Sequence, residues 1–380
     1  MKRLTTFLLV LGTVLCITGC SEVNEDVTVS EEAVYISPSA SAAAVNYPLS
    51  LLDENEQQLY DKLVDAVINY DETVVLEGAD DFTAKKLFKL MYTQENRIFW
   101  ADSRYIYDDT DYTMDLIYRY DSVKSEEMRA VLDFEAAKIL AEIPDGASDY
   151  EKIKILHDAL ILRCSFSKAG DYVNTAYGVI VDGAAQCEGY AFAMSYLCSS
   201  AGIENYVVTG TSAEGDSHAW NKVMADGEWY NVDCAWDDPI LKRESQNYIR
   251  HDYMFLSDAE INGISHFPDT THFEPIPCTS TANNYFIREG LYCRKSSEAQ
   301  LLISDEIKKA AAEDRYDVEI KLSNEDAYIE TVESLFSKGG LKAVIETLNG
   351  STGAGISSAI KSVNDELYTI HISLIYEGEE

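Results

Sequence analysis

Apolar residues recur every three to four positions in some stretches of the chain and every second position in others. The first spacing is typical of a helix with one buried face, and the second of a strand. In the first part of the chain the pattern predicts helices at 54–69 and 81–91 and strands at 72–78, 96–109 and 112–120. Asp80 or Asp81 is expected to cap the helix at 81–91.

Two longer helices follow, and a break separates them. The first is predicted over 123–142 and ends before Pro144, a residue that cannot continue a helix. The second begins after Ser148, which has Glu151 three residues later, the spacing of a capping box. Its apolar pattern continues to Arg163, so this helix opens a new unit of the chain.

The last hundred residues repeat an order of elements that the first part also has. Residues 59–88 and 303–336 each predict a helix, a strand and a helix, and each segment closes on Leu-Phe. A strand rich in Tyr and Ile follows in both cases. Two similar α+β modules therefore flank the middle of the chain, or both segments have only the general pattern of small α+β folds.

These elements predict an α+β fold in several units, because 380 residues exceed the size of one ordinary domain. The predicted organisation is a signal peptide over 1–20, a flexible tether over 21–48, an N-terminal α+β domain over 49–146, a central domain over 147–277 and a C-terminal α+β domain over 278–380. A hydrophobic content of 46% is enough for buried cores.

The charge balance excludes one class of partner. The chain has 66 acidic and 30 basic residues and a formal charge of −36. Such a surface repels phosphate backbones, so no nucleic acid partner is expected. The acidic residues are spread along the chain, which indicates a solvated surface.

The first twenty residues have the order of charge and hydropathy that a secretory signal has. Lys2 and Arg3 precede an apolar run that is too short for a permanent membrane span. The end of the run, residues 17–20, resembles the lipobox of bacterial lipoproteins, in which the cysteine sulfur is lipidated; here that residue is Cys20. The alternative is a plain cleaved signal with an incidental cysteine. The lipobox implies a membrane anchor with residues 21–48, acidic or rich in Ser, Ala and Pro, as a tether.

Beyond the signal and Cys20, six cysteines remain. Export permits disulfides, but the chain is too long to be a stapled mini-protein. Neither CxxC nor paired Cys/His spacing occurs, so no metal and no cofactor are predicted. We expect buried thiols, and Cys278–Cys293 is the pairing to test first. These cysteines are Cys164, Cys187, Cys198, Cys234, Cys278 and Cys293.

Cys187 stands at the start of a predicted helix over 187–201, after a turn of small residues and before Gly202. The dipole at a helix N-terminus favours an anion, which makes a thiol there more reactive. Backbone N–H groups at the same place can hold an oxyanion. A buried structural cysteine is the alternative, since position alone does not distinguish the two.

Residues 217–236 predict a hairpin that turns at Asp226 and Gly227. If these two residues form the turn, Ala225 faces Glu228, and the numbers of every further pair of facing residues also sum to 453. His218 and Asp233 are then diagonal neighbours on one face of the ladder, close enough for a histidine–carboxylate hydrogen bond. A shift of one residue would put them on opposite faces. Thiol catalysis needs a Cys, a His that takes its proton and a carboxylate that orients the imidazole, so these residues are candidates for that chemistry.

The stretches AQCEGYAFAMSYLCSSAGI, HAW and EWYNVDCAWDDP resemble the transglutaminase-like superfamily, which shares a core with papain-type thiol proteases. They are most similar to the exported transglutaminase-core proteins of low-GC Gram-positive bacteria. The resemblance covers about residues 150–260. Cys234 and Ala235 depart from the usual pattern after the acid. The matching positions are Cys187, Gly189, Tyr190, Ala191, His218, Trp220, Asp233 and Trp236.

The resemblance implies a papain-like core in which Cys187 is the nucleophile, His218 the base and Asp233 the orienting acid. Trp220 and Trp236 flank this site as walls of the core or cleft and are candidates for substrate binding. The implied reaction forms an acyl-thioester with a peptide or carboxamide carbonyl. Hydrolysis is favoured over transamidation, since water is always available.

The expected setting is outside the cell, on a membrane anchor at Cys20, with a protein or a cell-wall peptide as substrate. The alternative function is a surface binding module that keeps this fold without turnover. An extracellular solute-binding lipoprotein is a third class, but the sequence has no two-lobed βαβ repeat.

The remaining histidines are weaker candidates. His157 is predicted on the face of an amphipathic helix, and His251, His266 and His272 lie in a loop-rich stretch that is expected to pack against the core. His266 and His272 lack the partners at i, i+4 or in CxxC that metal sites have.

Overall fold

A computed structural model describes residues 46–238 and 248–378 of the chain. The predicted signal, Cys20 and residues 21–45 of the tether lie outside the described residues, as does Pro239 of the quoted motif. Among the residues described, no helix is long and apolar enough to cross a bilayer.

The first part of the chain contains the predicted helices and strands, with β1 shorter than expected. The side chain of Asp80 accepts a hydrogen bond from the Thr83 N–H and so caps α3. The three strands form an antiparallel sheet in the order β1-β3-β2. The elements are α1 Tyr47–Ser50, α2 Glu54–Ile68, β1 Thr73–Val75, α3 Asp81–Gln94, β2 Ala101–Asp108, β3 Thr113–Tyr118 and α4 Ser122–Leu140.

The central part has a helical half and an antiparallel sheet in the order β10-β6-β7-β8-β9. The predicted capping box of Ser148 and Glu151 opens α5. A π-helical turn at Gly178–Asp182 precedes β5. The elements are α5 Asp149–Arg163, β4 Ser165–Phe166, β5 Ala184–Ala185, α6 Cys187–Ser200, β6 Asn205–Ser212, β7 Ser217–Ala225, β8 Glu228–Val232, α7 Cys234–Asp237, β9 Met254–Leu256, α8 Asp258–Ile261, β10 His266–Pro268 and α9 Tyr285–Arg288.

Helix α6 lies at the centre of the largest hydrophobic core. Every residue of 189–198 is buried, so the helix is enclosed on all sides. It contacts α5, α7, β6 and β7. The core around it continues from Leu59 to Phe286 and includes side chains from both the N-terminal and the central parts. The predicted domain boundary at residue 147 stays a prediction.

The C-terminal part, 292–376, has a hydrophobic core of its own. Its sheet has the order β11-β12-β14-β13, and a π-helical turn at Glu333–Ser337 follows α11. We call this part the C-terminal module. Its elements are β11 Tyr292–Cys293, α10 Ser296–Ala312, β12 Asp317–Leu322, α11 Glu325–Val332, α12 Gly340–Thr352, β13 Ile356–Asn364 and β14 Thr369–Tyr376.

The two ends of the chain share a topology. In each, a helix, a strand and a further helix precede a hairpin, and the first strand pairs antiparallel with the last strand of that hairpin. The sheet orders β1-β3-β2 and β12-β14-β13 are therefore equivalent. The repeated order that the sequence predicts is present in the fold, with α12 and β11 as additions in the C-terminal module. The α+β fold class is confirmed.

The six described cysteines are free thiols, and five of them are buried. Buried thiols were expected, but Cys278 and Cys293 are not joined, so that pairing is wrong. Cys278 lies beside the buried ammonium of Lys222, with Nζ 3.3 Å from its sulfur. Cys293 instead belongs to the core of the C-terminal module.

Candidate active site

Cys187 is the first residue of α6, as the sequence predicts, and its side chain is partly exposed. The N–H of Gln186, the residue before it, donates to the Val173 carbonyl at 2.8 Å, which fixes the chain where the helix begins. Gly189 permits this close approach, because a Cβ there would lie 2.5 Å from the same carbonyl oxygen. No side chain caps the N-terminus of α6, so its first N–H groups remain oriented beside the thiol.

The hairpin that carries the other two candidates has the predicted register. Asp226 and Gly227 have φ of 53° and 85°, the left-handed pair of a tight hairpin turn. Ala225 faces Glu228, and the pairing continues in step to Asn221 and Val232. The predicted sum of 453 holds for every pair, so the register is confirmed.

This register brings His218 and Asp233 together. His218 Nε2 lies 2.5 Å from Asp233 Oδ2, and both side chains are buried. Since Nε2 is engaged by the carboxylate, Nδ1 is the ring nitrogen left for another partner. Cys187 is close enough to contribute to the raised pKa of His218. The Cys187 sulfur also lies 4.0 Å from the Ser217 carbonyl. The three predicted residues are thus neighbours, although they come from a helix, a strand and the turn after a strand.

Asp233 is held by backbone as well as by side chains. It is the N-cap of α7, and its Oδ1 accepts the N–H groups of Ala235 at 3.0 Å and Trp236 at 3.2 Å. A short helix directly after β8 therefore fixes the carboxylate at the end of the strand. These donors occupy one oxygen and leave Oδ2 for the imidazole.

The electrostatics of the pair favour a charged imidazole. Burial lowers the pKa of His218, but the charge of Asp233 and its hydrogen bond outweigh burial and raise the pKa to about 10. Burial raises the pKa of Asp233, but the charge of His218 outweighs burial and the net pKa is lowered well below its ordinary value. At neutral pH the pair is an imidazolium and a carboxylate, the form that stabilises a thiolate.

Sequence reasoning missed one residue of this cluster. The sequence places His266 in a loop-rich stretch, but the residue begins β10, is fully buried and places Nε2 3.0 Å from Asp233 Oδ2. Strand β10 is only three residues long and joins the sheet at β6. No local spacing relates position 266 to position 233, because the contact depends on which strands pair.

The two tryptophans have different surroundings. Trp220 is only 1% exposed, its Nε1 donates to Asn231 Oδ1 at 3.2 Å, and its ring stacks on that of His218. Its predicted role in substrate binding is therefore corrected to packing behind the imidazole. Trp236 is half-buried, with its ring centroid 5.1 Å from that of His218, and remains a candidate cleft wall.

The acidic residues after Trp236 are structural partners of neighbouring elements. Asp238 Oδ2 accepts the Tyr190 hydroxyl at 2.6 Å and the Phe166 N–H at 2.8 Å, which ties α6 to β4. Asp237 lies 3.1 Å from His157 Nε2. His157 is therefore fully buried in the protein interior, which corrects its prediction as a helix-face residue.

Two groups of side chains among the described residues have the atoms that a metal ion would need. They are His157, Asp158 and His251, and His218, Asp233 and His266. In both groups the nitrogens lie 2.5 to 3.0 Å from a carboxylate oxygen, which is the length of a hydrogen bond. Protons on the imidazoles account for this geometry, so we derive no metal chemistry from it.

Comparison with known families gives a match to the transglutaminase-like superfamily over residues 137–234. The matched segment includes Cys187, His218 and Asp233.

Comparison with curated proteins gives the Kyphoscoliosis peptidase of Mus musculus, 28% identical over 101 residues, which are 23% of this chain and 15% of that protein. The Homo sapiens Kyphoscoliosis peptidase is 26% identical over 123 residues, 28% of this chain and 19% of that protein. The chain thus spans less than a fifth of the length of these relatives.

Among solved structures, a TGase covers 56% of this chain and 54% of its own at 16% identity and a TM-score of 0.27. A putative cysteine protease from Cytophaga hutchinsonii covers 35% and 61% at 12% identity and a TM-score of 0.24. Both TM-scores are low, and the family match over residues 137–234 covers the candidate site.

Proposed function

We propose that the protein is a thiol acyl-transfer enzyme, and the match of residues 137–234 to the transglutaminase-like superfamily supports this proposal. Cys187 is its nucleophile, His218 its acid and base, and Asp233 the residue that orients the imidazole. The observation that carries the proposal is the position of His218, which contacts the Asp233 carboxylate through Nε2 at 2.5 Å. The nearby Cys187 thiol is among the groups that raise the pKa of His218. The partly exposed sulfur supports access for a substrate.

The first half of the reaction forms the acyl-enzyme. The Cys187 thiolate attacks the carbonyl carbon of an amide, and the carbonyl oxygen becomes an oxyanion beside the uncapped N-terminus of α6. The tetrahedral intermediate collapses, the C–N bond breaks, and the leaving amine takes the proton from the His218 imidazolium. The product of this half is a thioester on Cys187 and a free amine.

The second half depends on the acceptor. Water gives its proton to His218, attacks the thioester and yields a carboxylic acid as the C–S bond breaks. An amine in the place of water yields a new amide, which is transamidation. Both reactions use the same three residues, and hydrolysis is favoured because water is always present.

The proposed setting is the outer face of a bacterial membrane, with the chain anchored through lipid on Cys20. Its support is the charge order of residues 1–20 and the resemblance of their end to a lipobox. The substrate class is then a peptide-like amide outside the cell, in a protein or a cell-wall peptide.

The first experiment measures the rate at which iodoacetamide alkylates Cys187 as a function of pH. The full chain is used in detergent micelles, and peptide mass spectrometry follows this one thiol. An imidazolium at His218 predicts fast alkylation well below pH 8.5, the ordinary thiol value, and a loss of this advantage in His218→Ala. The matched control is His272→Ala, which removes a partly buried histidine outside the site.

Activity is then assayed with fluorogenic peptides and with an amine acceptor. Wild type is expected to release the fluorophore, and Cys187→Ala is expected to release none. Slow alkylation that rises only near pH 8.5, and equally in His218→Ala, would contradict the proposal. That result would favour the alternative of a surface binding module without turnover.

A further inference from the structure

The Asp233 carboxylate has a second imidazole partner, and we infer that His266 is a positioning residue that fixes this carboxylate for His218. The inference rests on the proposed function. His266 acts through its hydrogen bond to Asp233, and its ring also packs edge-on against that of His218, with centroids 5.1 Å apart.

The geometry of the carboxylate carries the first step. Oδ2 lies 2.5 Å from His218 Nε2 and 3.0 Å from His266 Nε2, and Oδ1 accepts the backbone N–H groups of Ala235 and Trp236. Four donors therefore converge on two oxygens of one buried side chain. Rotation of the carboxylate would break several of these bonds together, so its orientation is fixed.

The position of the proton on His266 follows from its other nitrogen. His266 Nδ1 lies 2.8 Å from the hydroxyl of the buried Ser265. A neutral imidazole has one N–H, and a hydroxyl that donates to Nδ1 leaves Nε2 to carry it. The Nε2–H of His266 then points at Asp233.

Packing holds the His266 ring in place. Its centroid lies 4.8 Å from that of Trp220 and 4.6 Å from that of Trp236. The backbone is held by the pairing of His266 with Ser212 of β6. An immobilised donor loses little conformational freedom when it bonds to the carboxylate, which is what a positioning residue needs.

The chemical consequence concerns the reaction cycle. His218 is charged in one half of the cycle and neutral after it gives its proton to the leaving amine. The strength of its hydrogen bond to Asp233 therefore changes during the cycle. The Nε2–H of His266 is not transferred in either half. It therefore keeps the carboxylate aimed at His218 in both protonation states.

The test compares two substitutions at the same position in the full chain. His266→Phe retains a ring of similar volume but removes the donor, whereas the amide of His266→Gln can replace the Nε2–H. The readout is the pH profile of Cys187 alkylation, which needs no known substrate, and the melting temperature is measured in parallel. We expect His266→Phe to lose about ten- to a hundredfold in rate at pH 6.5, the range for one hydrogen bond to a charged group. His266→Gln is expected to stay within about threefold of wild type.

Equal rates for His266→Phe and wild type at pH 6.5 would overturn the inference. The proposed function would stand in that case, provided that wild-type alkylation still depends on His218. Alkylation that is independent of His218 would instead defeat the proposed function itself. Should His266→Phe fail to fold, Ser265→Ala replaces it, because this variant keeps the ring and frees its tautomer. A severalfold loss at pH 6.5 in Ser265→Ala supports the inference, and an unchanged profile overturns it.

Discussion

Glu188 directly follows Cys187 in α6, and its carboxyl is partly buried there. Burial raises the pKa of this carboxyl to about 7, and the guanidinium of Arg119 offsets the effect only in part. The Arg119 guanidinium also donates to the Tyr92 hydroxyl at 3.1 Å. The residue next to the candidate nucleophile is therefore an acid that changes charge near neutral pH.

Glu188→Gln is expected to stabilise the protein in alkaline solution relative to wild type. A carboxyl whose pKa is raised by folding contributes stability at low pH and loses it as the pH rises from 4.5 through about 7. The amide does not ionise, so the difference in free energy of unfolding should shift in favour of the variant between pH 5 and pH 8.5. Urea unfolding of wild type and Glu188→Gln at pH 5 and pH 8.5 measures this difference in free energy. The same shift in the control Glu228→Gln, at the exposed start of β8, would contradict this cause.

At the scale of elements, the contact between β6 and β10 decides whether His266 reaches the site. Gly210 of β6 pairs with Pro268, and a Cβ at position 210 would lie 2.1 Å from the Phe267 carbonyl oxygen. A side chain of any size there must displace β10. The absence of a side chain at one residue of β6 thus permits the strand that carries His266.

Gly210→Ala is expected to lower the free energy of unfolding by about 1–3 kcal/mol, the usual cost of overpacking. It should also slow alkylation of Cys187 below pH 8.5, because β10 carries His266 with it. The matched control is Gly350→Ala in α12, where a Cβ would meet nothing within 4 Å. That change should stabilise the helix by about 0.5–1 kcal/mol. If Gly210→Ala and Gly350→Ala change the free energy of unfolding equally in urea, the close approach of the Phe267 carbonyl to Gly210 is not the cause of the loss.

At the scale of the whole molecule, a buried charge network joins the central part to the C-terminal module. His251 Nε2 lies 2.9 Å from Asp158 of α5, and His251 Nδ1 lies 2.5 Å from Glu319 of β12. Nearby, His371 Nε2 of β14 lies 2.7 Å from Asp252. The two main hydrophobic cores are separate, and these contacts form a polar connection between the parts. A small apolar cluster, in which Leu367 packs on Tyr253, Leu256 and Ile261, lies beside this connection.

The network predicts a loss of stability in alkaline solution. Burial lowers the pKa of His251, but the charges and hydrogen bonds of Glu319 and Asp158 outweigh it and raise the pKa to about 10. A histidine whose pKa is raised by folding contributes stability that is complete below about 6.5 and is lost as the pH rises through about 10. His251→Phe should therefore cost about 3–5 kcal/mol at pH 6, the usual cost of breaking a buried pair.

Urea unfolding of wild type and His251→Phe at pH 6 and pH 10.5 tests this expectation. The difference in free energy of unfolding between wild type and His251→Phe should be smaller at pH 10.5 than at pH 6. His272→Phe, a substitution outside the network, serves as the control. A difference that stays constant with pH would show that packing, and not charge, connects the two parts.

Short-range physics explains what the sequence alone determined. Helical periodicity and the Ser148–Glu151 capping box predicted α5, and the small residues before Cys187 predicted the start of α6, because caps and turns depend on a few adjacent residues. The Asp226-Gly227 turn fixed the hairpin register, since its backbone geometry allows one pairing. That register brought His218 to Asp233 without knowledge of the rest of the fold.

Only the tertiary structure decided the surroundings of that pair. His266 reaches Asp233 through a three-residue strand on the far side of β6, and Trp220 is buried behind the imidazole, where its ring also contacts that of His266. His157 is buried because its Nε2 bonds to Asp237, a residue that lies 80 positions later in the chain. Such contacts depend on which elements pack together, a global balance of buried area and hydrogen bonding that no local pattern encodes.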